Sequence, residues 1–505
     1  MKDIQFFLVS LSLMQHSFTW IDWSVIAALL VAMVWISARS GKRNKSTSDY
    51  YLGGRTLHWG MVGLSIFATM NSTISYLSYT GEMVKYGPVF LCGVLGFPLA
   101  GWIVGRFIIP RIRQFNVTSG YEILGLRLGK GSRLLATLFF ISLRFMWMST
   151  IVFATVRVAL LPILGLSAEW VPVLCAGIIL FTVFFTTIGG LRAVVATDAL
   201  QAVIMILGAL VTIGVIFFGP GNVPATLKDP SLYSGWIDWV WAPKRGVRMT
   251  AFNILLMNML WQICTAGSDQ MAIQRYLSVK DARAASRSFN ISLLGSASII
   301  VLLGIVGVMV MAYFTIHPQW LPQGQDIHSA ADILFPTFIR IGLPAGVTGL
   351  IAAALMAAAI SSLSSGLNSV ASVITEDVLK QLPSFKGREF SLRTTKWISA
   401  ILGFLVLGSS FLIGYVQGNL LDISMKVVNL VTAPLFVLFF LALFVPAAND
   451  RGAVIGGLAA LAAAIGVSFF GLFGFVQTWN LFVALVVGIP VGIAASYLLR
   501  GSKVS

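Results

Sequence analysis

The chain is poor in charge. Asp, Glu, Lys and Arg make up 10% of its 505 residues, where a soluble domain carries about 25%. So few charges cannot keep a large surface in water. The sequence is 57% hydrophobic, with a mean hydropathy of +0.90, which identifies an all-α polytopic membrane protein. Cysteine is scarce too. Cys92, Cys175 and Cys264 all fall in apolar runs and offer neither metal-ligand spacing nor a disulfide framework. Histidine is as rare. His16, His58, His317 and His328 sit near span ends or in outer loops, so no acid–base pair or nucleophile for a membrane enzyme emerges, and no enzyme activity is expected. There is no P-loop, no HExxH and no long soluble segment. Energy from ATP therefore does not enter through this chain. Acids are outnumbered, 18 against 34 basic residues, for a net charge of +16. That excess could suggest nucleic acid, but the positions of the charges argue against such a partner.

Apolar runs of bilayer-crossing length recur along the sequence, about thirteen in all. Basic residues gather in alternate connections. One side holds Arg39, Lys42, Arg43, Lys45 and Arg55; Arg106, Arg111 and Arg113; Arg275, Lys280, Arg283 and Arg287; and Lys380 through Lys396. The other holds a smaller set that includes Lys85, Lys228, Lys244, Arg245 and Arg248. By the positive-inside rule the N-terminus is outside and the C-terminus inside. The Arg39–Lys45 cluster would meet anionic lipid head groups. Residues 1–18 read as an external tail, with a signal-peptide reading left open. Residues 19–57 form a leading helix and cytoplasmic loop.

One stretch concentrates polar groups at membrane depth: Ala357-Ala358-Ala359-Ile360-Ser361-Ser362-Leu363-Ser364-Ser365-Gly366-Leu367-Asn368-Ser369. On a helix Ser361, Ser365 and Asn368 share a face, with Ser364 beside them. Hydroxyl oxygens are hard ligands that suit an alkali cation. Small residues also let helices pack closely, and Ser can bond back to its own helix. That explains any one serine; the cluster favours an ion site, because intramembrane polar groups are costly unless used.

Two spans are interrupted. Ala68-Thr69-Met70-Asn71-Ser72-Thr73-Ile74-Ser75 breaks the second, and Gln262-Ile263-Cys264-Thr265-Ala266-Gly267-Ser268-Asp269-Gln270 breaks the seventh. They are five spans apart, and an odd repeat length inverts the second copy. Residues 58–219 and 249–446 are thus candidate inverted five-helix repeats, followed by two trailing helices and a cytoplasmic C-terminus over 453–505. Discontinuous helices in matching positions are the best sequence pointer to a transporter's binding site. Between spans five and six, Gly189-Gly190 permits a tight turn and Asp198 follows inside the next helix. An intramembrane carboxylate invites a cation; a salt bridge to Arg192 or a helix N-terminal charge is the equal alternative.

These residues resemble the sodium:solute symporter family, which contains sodium/glucose, sodium/proline, sodium/sialic acid, sodium/monocarboxylate and sodium/iodide carriers. The motifs are Asp49-Tyr50-Tyr51-Leu52-Gly53-Gly54-Arg55, the Gly189–Gln201 segment, Asp269-Gln270 with Gln274-Arg275-Tyr276-Leu277, and the serine stretch. The resemblance implies the LeuT-like five-plus-five fold, a plasma-membrane location (the inner membrane in a bacterium), and sodium as coupling ion. It implies a first sodium site of Ala68, Asn71, Ala358, Ser361 and Ser362, the first three through carbonyls. It implies a second of Asp198, Ser361, Ser364 and Ser365. It also implies a solute cavity near Ser72, Ser75, Phe90, Val94, Gln262, Thr265 and Lys426.

The substrate is expected to be a small organic anion, a carboxylate or sugar acid. Arg144 and Lys426 are cations at membrane depth with few acids to pair, and a guanidinium clamps carboxylate bidentately. Structural roles for both remain open. A neutral sugar, polyol or amino acid is the runner-up; a transport-inactive sensor or a channel of the same fold is the reading from another class. Topology is testable directly: a C-terminal tag should be inaccessible to external probes in intact cells, and external labelling would overturn the orientation.

Overall fold

The computed structural model describes residues 18–499, except 43, 45, 220, 238–239, 322–323, 386–389 and 414–419; for 413 and 420–427 it describes backbone alone. Among the described residues, nine helices are long and apolar enough to cross a membrane. Three of the expected spans are hidden by continuity or by a break. The run Val171–Phe218 is two helices joined at Gly190, whose φ of 62° and ψ of −165° leave the helical region. The run Thr73–Ile112 turns at Gly87, φ 68°, into an irregular stretch of 3-10, α and π winding. A further span is itself broken, as Ala251–Ser268 and Gln270–Ser278. With these and Leu420–Phe444, the spans number thirteen. Helices must dominate here, because only a helix satisfies its own backbone groups in hydrocarbon.

The serine helix, Val347–Val373, is the axis of the molecule. It belongs to the most enclosed of the candidate spans, Val347–Gln381. Its Ala, Ser and Gly side chains let neighbours approach closely. A Cβ on Gly349 would sit 2.5 Å from Cα of Asp22, which measures how near the leading helix, Trp20–Gly41, lies. Asp22 serves both helices. Its Oδ2 accepts the Thr19 N–H at 2.9 Å in a capping box, and its Oδ1 accepts from Gly346 and Gly349 N–H at 2.8 and 2.7 Å. One buried carboxylate therefore caps two helix N-termini, where the macrodipoles favour it.

The motif tyrosines fix the end of the bundle where the Gly189-Gly190 turn lies. Tyr50 Oη donates to the Thr186 carbonyl at 3.3 Å, and Asn44 Nδ2 to the Gly189 carbonyl at 2.8 Å. Both bonds hold the Gly189-Gly190 turn. Tyr51 Oη lies 3.3 Å from the Ala371 carbonyl and 3.0 Å from Thr375 Oγ1, tying the same loop to the serine helix. Gln274 completes the arrangement: its amide donates to the Tyr51 carbonyl at 2.7 Å and to Asn368 Oδ1 at 2.9 Å, and accepts from Ser369 at 2.7 Å.

Gly190 tolerates a side chain poorly. Its φ is left-handed, and a Cβ would meet the Tyr50 ring and carbonyl at 2.8 Å. Gly190→Ala should lower the thermal midpoint and membrane yield, with strain of about 1–3 kcal/mol before the clash is counted. A wild-type midpoint in detergent would show that the turn is not a structural constraint.

Candidate functional site

The first broken helix runs Trp59–Met70, parts at Asn71 and Ser72, and resumes as Thr73–Tyr86. Asn71 is extended, φ −111° and ψ 100°, so the last carbonyls of the first segment lack intrahelical partners. Asn71 steadies its own break: Nδ2 donates to the Phe67 carbonyl at 2.9 Å and to Ser296 Oγ at 3.0 Å. The serine helix lies directly against this break. Ser362 Oγ donates to the Thr69 carbonyl at 3.1 Å, and Thr73 Oγ1 to the Leu355 carbonyl at 2.7 Å. The Thr69 carbonyl thus meets the Ser362 hydroxyl across one hydrogen-bond length, while the neighbouring Ser361 hydroxyl is turned to Asp198 at 2.7 Å. Hard, neutral oxygens converging from two helices are the donor set an alkali cation takes. Among the described residues, no three His, Cys, Asp or Glu come together to hold a metal.

Beside this contact lies a buried charge pair. Arg275 Nη2 and Asp198 Oδ2 are 2.9 Å apart, and neither residue is exposed. Asp198 is heavily solvated by protein. Ser65 Oγ donates to Oδ2 at 2.6 Å and Ser361 Oγ to Oδ1 at 2.7 Å; Thr69 and Ser365 hydroxyls lie at 3.3 Å. Arg275 in turn donates to Ser65, Thr69, Ser365 and the Met271 carbonyl. Two expectations change here. Arg192 is not the partner of Asp198: it donates to the Gly53 carbonyl at 2.7 Å. Arg275, counted with the inner loops, is instead fully buried, because the second helix continues past its break and carries it inward. Of the second sodium set, Asp198, Ser361 and Ser365 come together. The Ser364 hydroxyl bonds back to the Ser361 carbonyl at 3.1 Å.

A cavity of about 160 Å³ opens next to the first break. Ser75, Phe90, Arg144, Gln262 and Thr265 line it, together with Thr69 and Asn71. Ser72 and Val94 do not line it; Ser72 is fully buried, and its hydroxyl has no partner among the described residues. Lys426 lies outside the residues whose side chains are described. Arg144 corrects another expectation. It is ion-paired to Asp269, so it does have an acid, supplied by a different span. Asp269 is the break of the second helix, φ −79° and ψ 126°, and also caps the Met271 N–H at 2.9 Å. The discontinuity falls at this one residue, at the end of the polar stretch. Arg144 Nε–H is buried without a partner among the described residues.

The sequence signal for this pair is one-sided: a lone Asp198 in an apolar run needs a partner, but Arg275 follows a polar stretch and counts as a loop charge. Nothing comparable marks Gln477 and Thr478, which also line the cavity from the start of the last span.

A model of the sodium:solute symporter family matches residues 50–460. The chain is 27% identical over 499 residues to the sodium/sialic acid symporter of Proteus mirabilis (strain HI4320), covering 96% of this chain and 97% of that protein. It is 29% identical over 455 residues to the human sodium-coupled monocarboxylate transporter 1, covering 88% and 73%. Its structure superposes on a solved sodium-coupled sialic acid symporter, described in a substrate-bound outward-open state with a novel sodium site. That match has a TM-score of 0.83, 25% identity, and covers 96% of this chain and 99% of the other.

The pair makes a stability prediction. Arg275→Met leaves a buried carboxylate with hydroxyl donors but no opposite charge, at a cost of about 3–5 kcal/mol. Adding Asp198→Asn should recover much of that loss. Melting curves in potassium buffer measure the coupling; equal destabilisation in the single and double variants would mean the two charges do not interact.

Proposed function

The chain belongs to the sodium:solute symporter family, multi-pass membrane proteins that couple solute movement to sodium, and we propose that it imports a small organic anion, a carboxylate or sugar acid, with two sodium ions by alternating access. The observation that carries the anion reading is Arg144. Arg144 lines the cavity, its Nε–H is buried and unpartnered among the described residues, and a planar fork is the best geometry for a carboxylate. The ion pair with Asp269 does not exhaust its five donors. The pair also sets Arg144 against the break of the second helix, so a bound anion would sit beside a discontinuous helix. The named relatives carry sialic acid and monocarboxylates, which supports the same class.

The first sodium would be held by the carbonyls of Ala68, Asn71 and Ala358 and the hydroxyls of Ser361 and Ser362. The 3.1 Å bond from Ser362 to the Thr69 carbonyl supports the fit, since it brings the two halves of that donor set within one contact. The second sodium would be held at Asp198, Ser361, Ser364 and Ser365. Arg275 already partners Asp198, so charge cost alone does not demand an ion there. What supports it is the donor set: hydroxyls that now point protons at the carboxylate can rotate and present lone pairs instead. A chelated cation supplies charge and fixes the helices it bridges; the protein's residues do the rest.

Coupling follows from shared walls. Thr69 and Asn71 line the cavity and belong to the same break whose carbonyls would hold sodium. An ion that orders this break lowers the entropic cost of binding the solute against it, and the solute does the same for the ion, as reciprocity requires. On this reading residues 58–219 and 249–446 are the two inverted units that rock around the site.

The test is uptake and current in proteoliposomes. One sodium with a monoanion moves no net charge. Two leave one positive charge, worth roughly 2.3 kcal/mol per 100 mV. Uptake of a monoanion should carry inward current and rise sigmoidally with sodium. Ser361→Ala and Ser362→Ala should each abolish sodium-dependent uptake in folded protein, and Asp198→Asn should flatten the sodium response to a hyperbola. Electroneutral uptake with a hyperbolic wild-type response would sink the two-ion scheme, and a strict preference for uncharged solutes would sink the anion.

A further inference from the structure

Part of the cavity wall comes from outside both candidate repeats. Gln477 and Thr478 line it from the 3-10 turn Gln477–Trp479 that starts the last span. Thr478 is 8% exposed. Its Oγ1, and Nε2 of Gln477, are buried without a hydrogen-bond partner among the described residues. Buried polar groups rarely stay unpartnered in a native structure unless something else satisfies them.

The segment is held in place by its neighbours. Val476 N–H donates to the Arg245 carbonyl at 2.8 Å, and the Trp479 indole N–H to the Lys244 carbonyl at 3.2 Å. Both bonds staple it to the loop that carries Arg248. Arg248 reaches into the same cavity, where Nη2 meets Glu82 Oε1 at 2.8 Å and Nη1 meets the Tyr86 hydroxyl at 3.0 Å. Glu82 lies well along Thr73–Tyr86 from the break, roughly 15 Å from Ser72 at 1.5 Å rise per residue. The cavity is therefore long, with Arg144 near the break and a second set of polar groups toward Glu82.

We infer that Gln477 and Thr478, beside the Glu82–Arg248 pair, form a second polar subsite that receives the far, hydroxylated end of an elongated acid. This rests on the reading of Arg144 as the carboxylate contact. The chemistry divides accordingly: an amide N–H and a hydroxyl offer donors, and the Glu82 carboxylate accepts from a sugar hydroxyl. A short monocarboxylate held at Arg144 does not span the distance. The last span, which lies outside the two repeats, thereby selects substrate length and hydroxylation.

Binding to purified full-length protein in sodium buffer tests this, with sialic acid and gluconate as long hydroxylated acids and propionate as the short one. Gln477→Leu and Thr478→Val should each weaken the long acids by roughly three- to tenfold, the loss of one hydrogen bond. Propionate binding and sodium affinity should stay unchanged, and Thr478→Ser should bind like wild type. Arg144→Gln should weaken all three acids. Wild-type affinity for the long acids in both Gln477→Leu and Thr478→Val overturns the subsite while leaving Arg144 intact. Equal losses in Thr478→Ser and Thr478→Val overturn it in favour of packing. Wild-type protein that binds no acid at all overturns the anion reading and the subsite together.

Discussion

A carboxylate and a guanidinium shut away from water hold this molecule together at one point. Asp198 and Arg275 come from different spans, and the hydroxyls that solvate them come from two more: Ser65 and Thr69 from the first broken helix, Ser361 and Ser365 from the serine helix. Four helices meet because neither charge can be left alone at this depth. The effective penalty for burying each ion is several kcal/mol, and it is offset only if every neighbouring donor and acceptor is placed. The serine helix has little choice of side chains on that face. Anything larger than serine would push the helices apart, and anything apolar would leave the carboxylate short of donors.

The same constraint explains why both broken helices look as they do. A helix that parts inside the membrane exposes carbonyl and amide groups that lipid cannot satisfy. At Asn71 the side chain turns back to the Phe67 carbonyl and outward to Ser296, and at Asp269 the carboxylate caps the continuing segment and takes Arg144. Each break is thus closed by a polar side chain of its own plus one group from another helix. The cavity sits between these two repairs. A solute or ion that binds there meets backbone and side-chain groups already gathered and oriented, so little reorganisation is needed on binding.

The architecture was legible in the sequence to the extent that it depends on local chemistry. Hydropathy marks the spans, and Gly189-Gly190 marks a turn that requires a left-handed glycine. The polar interruptions mark both breaks, although the second narrows to Asp269. Pairings across the fold were less legible. Arg275 reads as a loop charge because it follows a polar stretch, and only the continuing helix carries it to Asp198 rather than Arg192. Arg144 looks unpaired because its acid belongs to a span more than a hundred residues on. Ser72 looks like a wall residue from its place in the break, yet the extended backbone there turns it away from the cavity. Sequence records which groups need partners; the partner is chosen by packing.

The two ends of the cavity are closed by different physics, and this sets which opens more cheaply. Toward Glu82, outside on the charge-derived orientation, the charged groups are ion pairs with at least one member reached by water. Arg248 is 42% exposed against Glu82, and Lys85 and Asp332 are 23% and 36% exposed. The Lys85–Asp332 pair, with both members reached by water, contributes about 0–1 kcal/mol, whereas Glu82 is buried and only its partner Arg248 keeps access to water. Toward the inside, the way is barred by groups with no access to water: Asp198 and Arg275, then Gln274 bridging Tyr51, Asn368 and Ser369. Separating those helices leaves several buried polar groups unpaired at once, each at about 1–3 kcal/mol. Opening outward is then the low-cost excursion. Opening inward needs the inner hydroxyl network to be rearranged as a unit. Ser361 and Ser365, two of the serines proposed to bind sodium, join that network through Asp198, so on that proposal the inner seal and the ion ligands would share side chains.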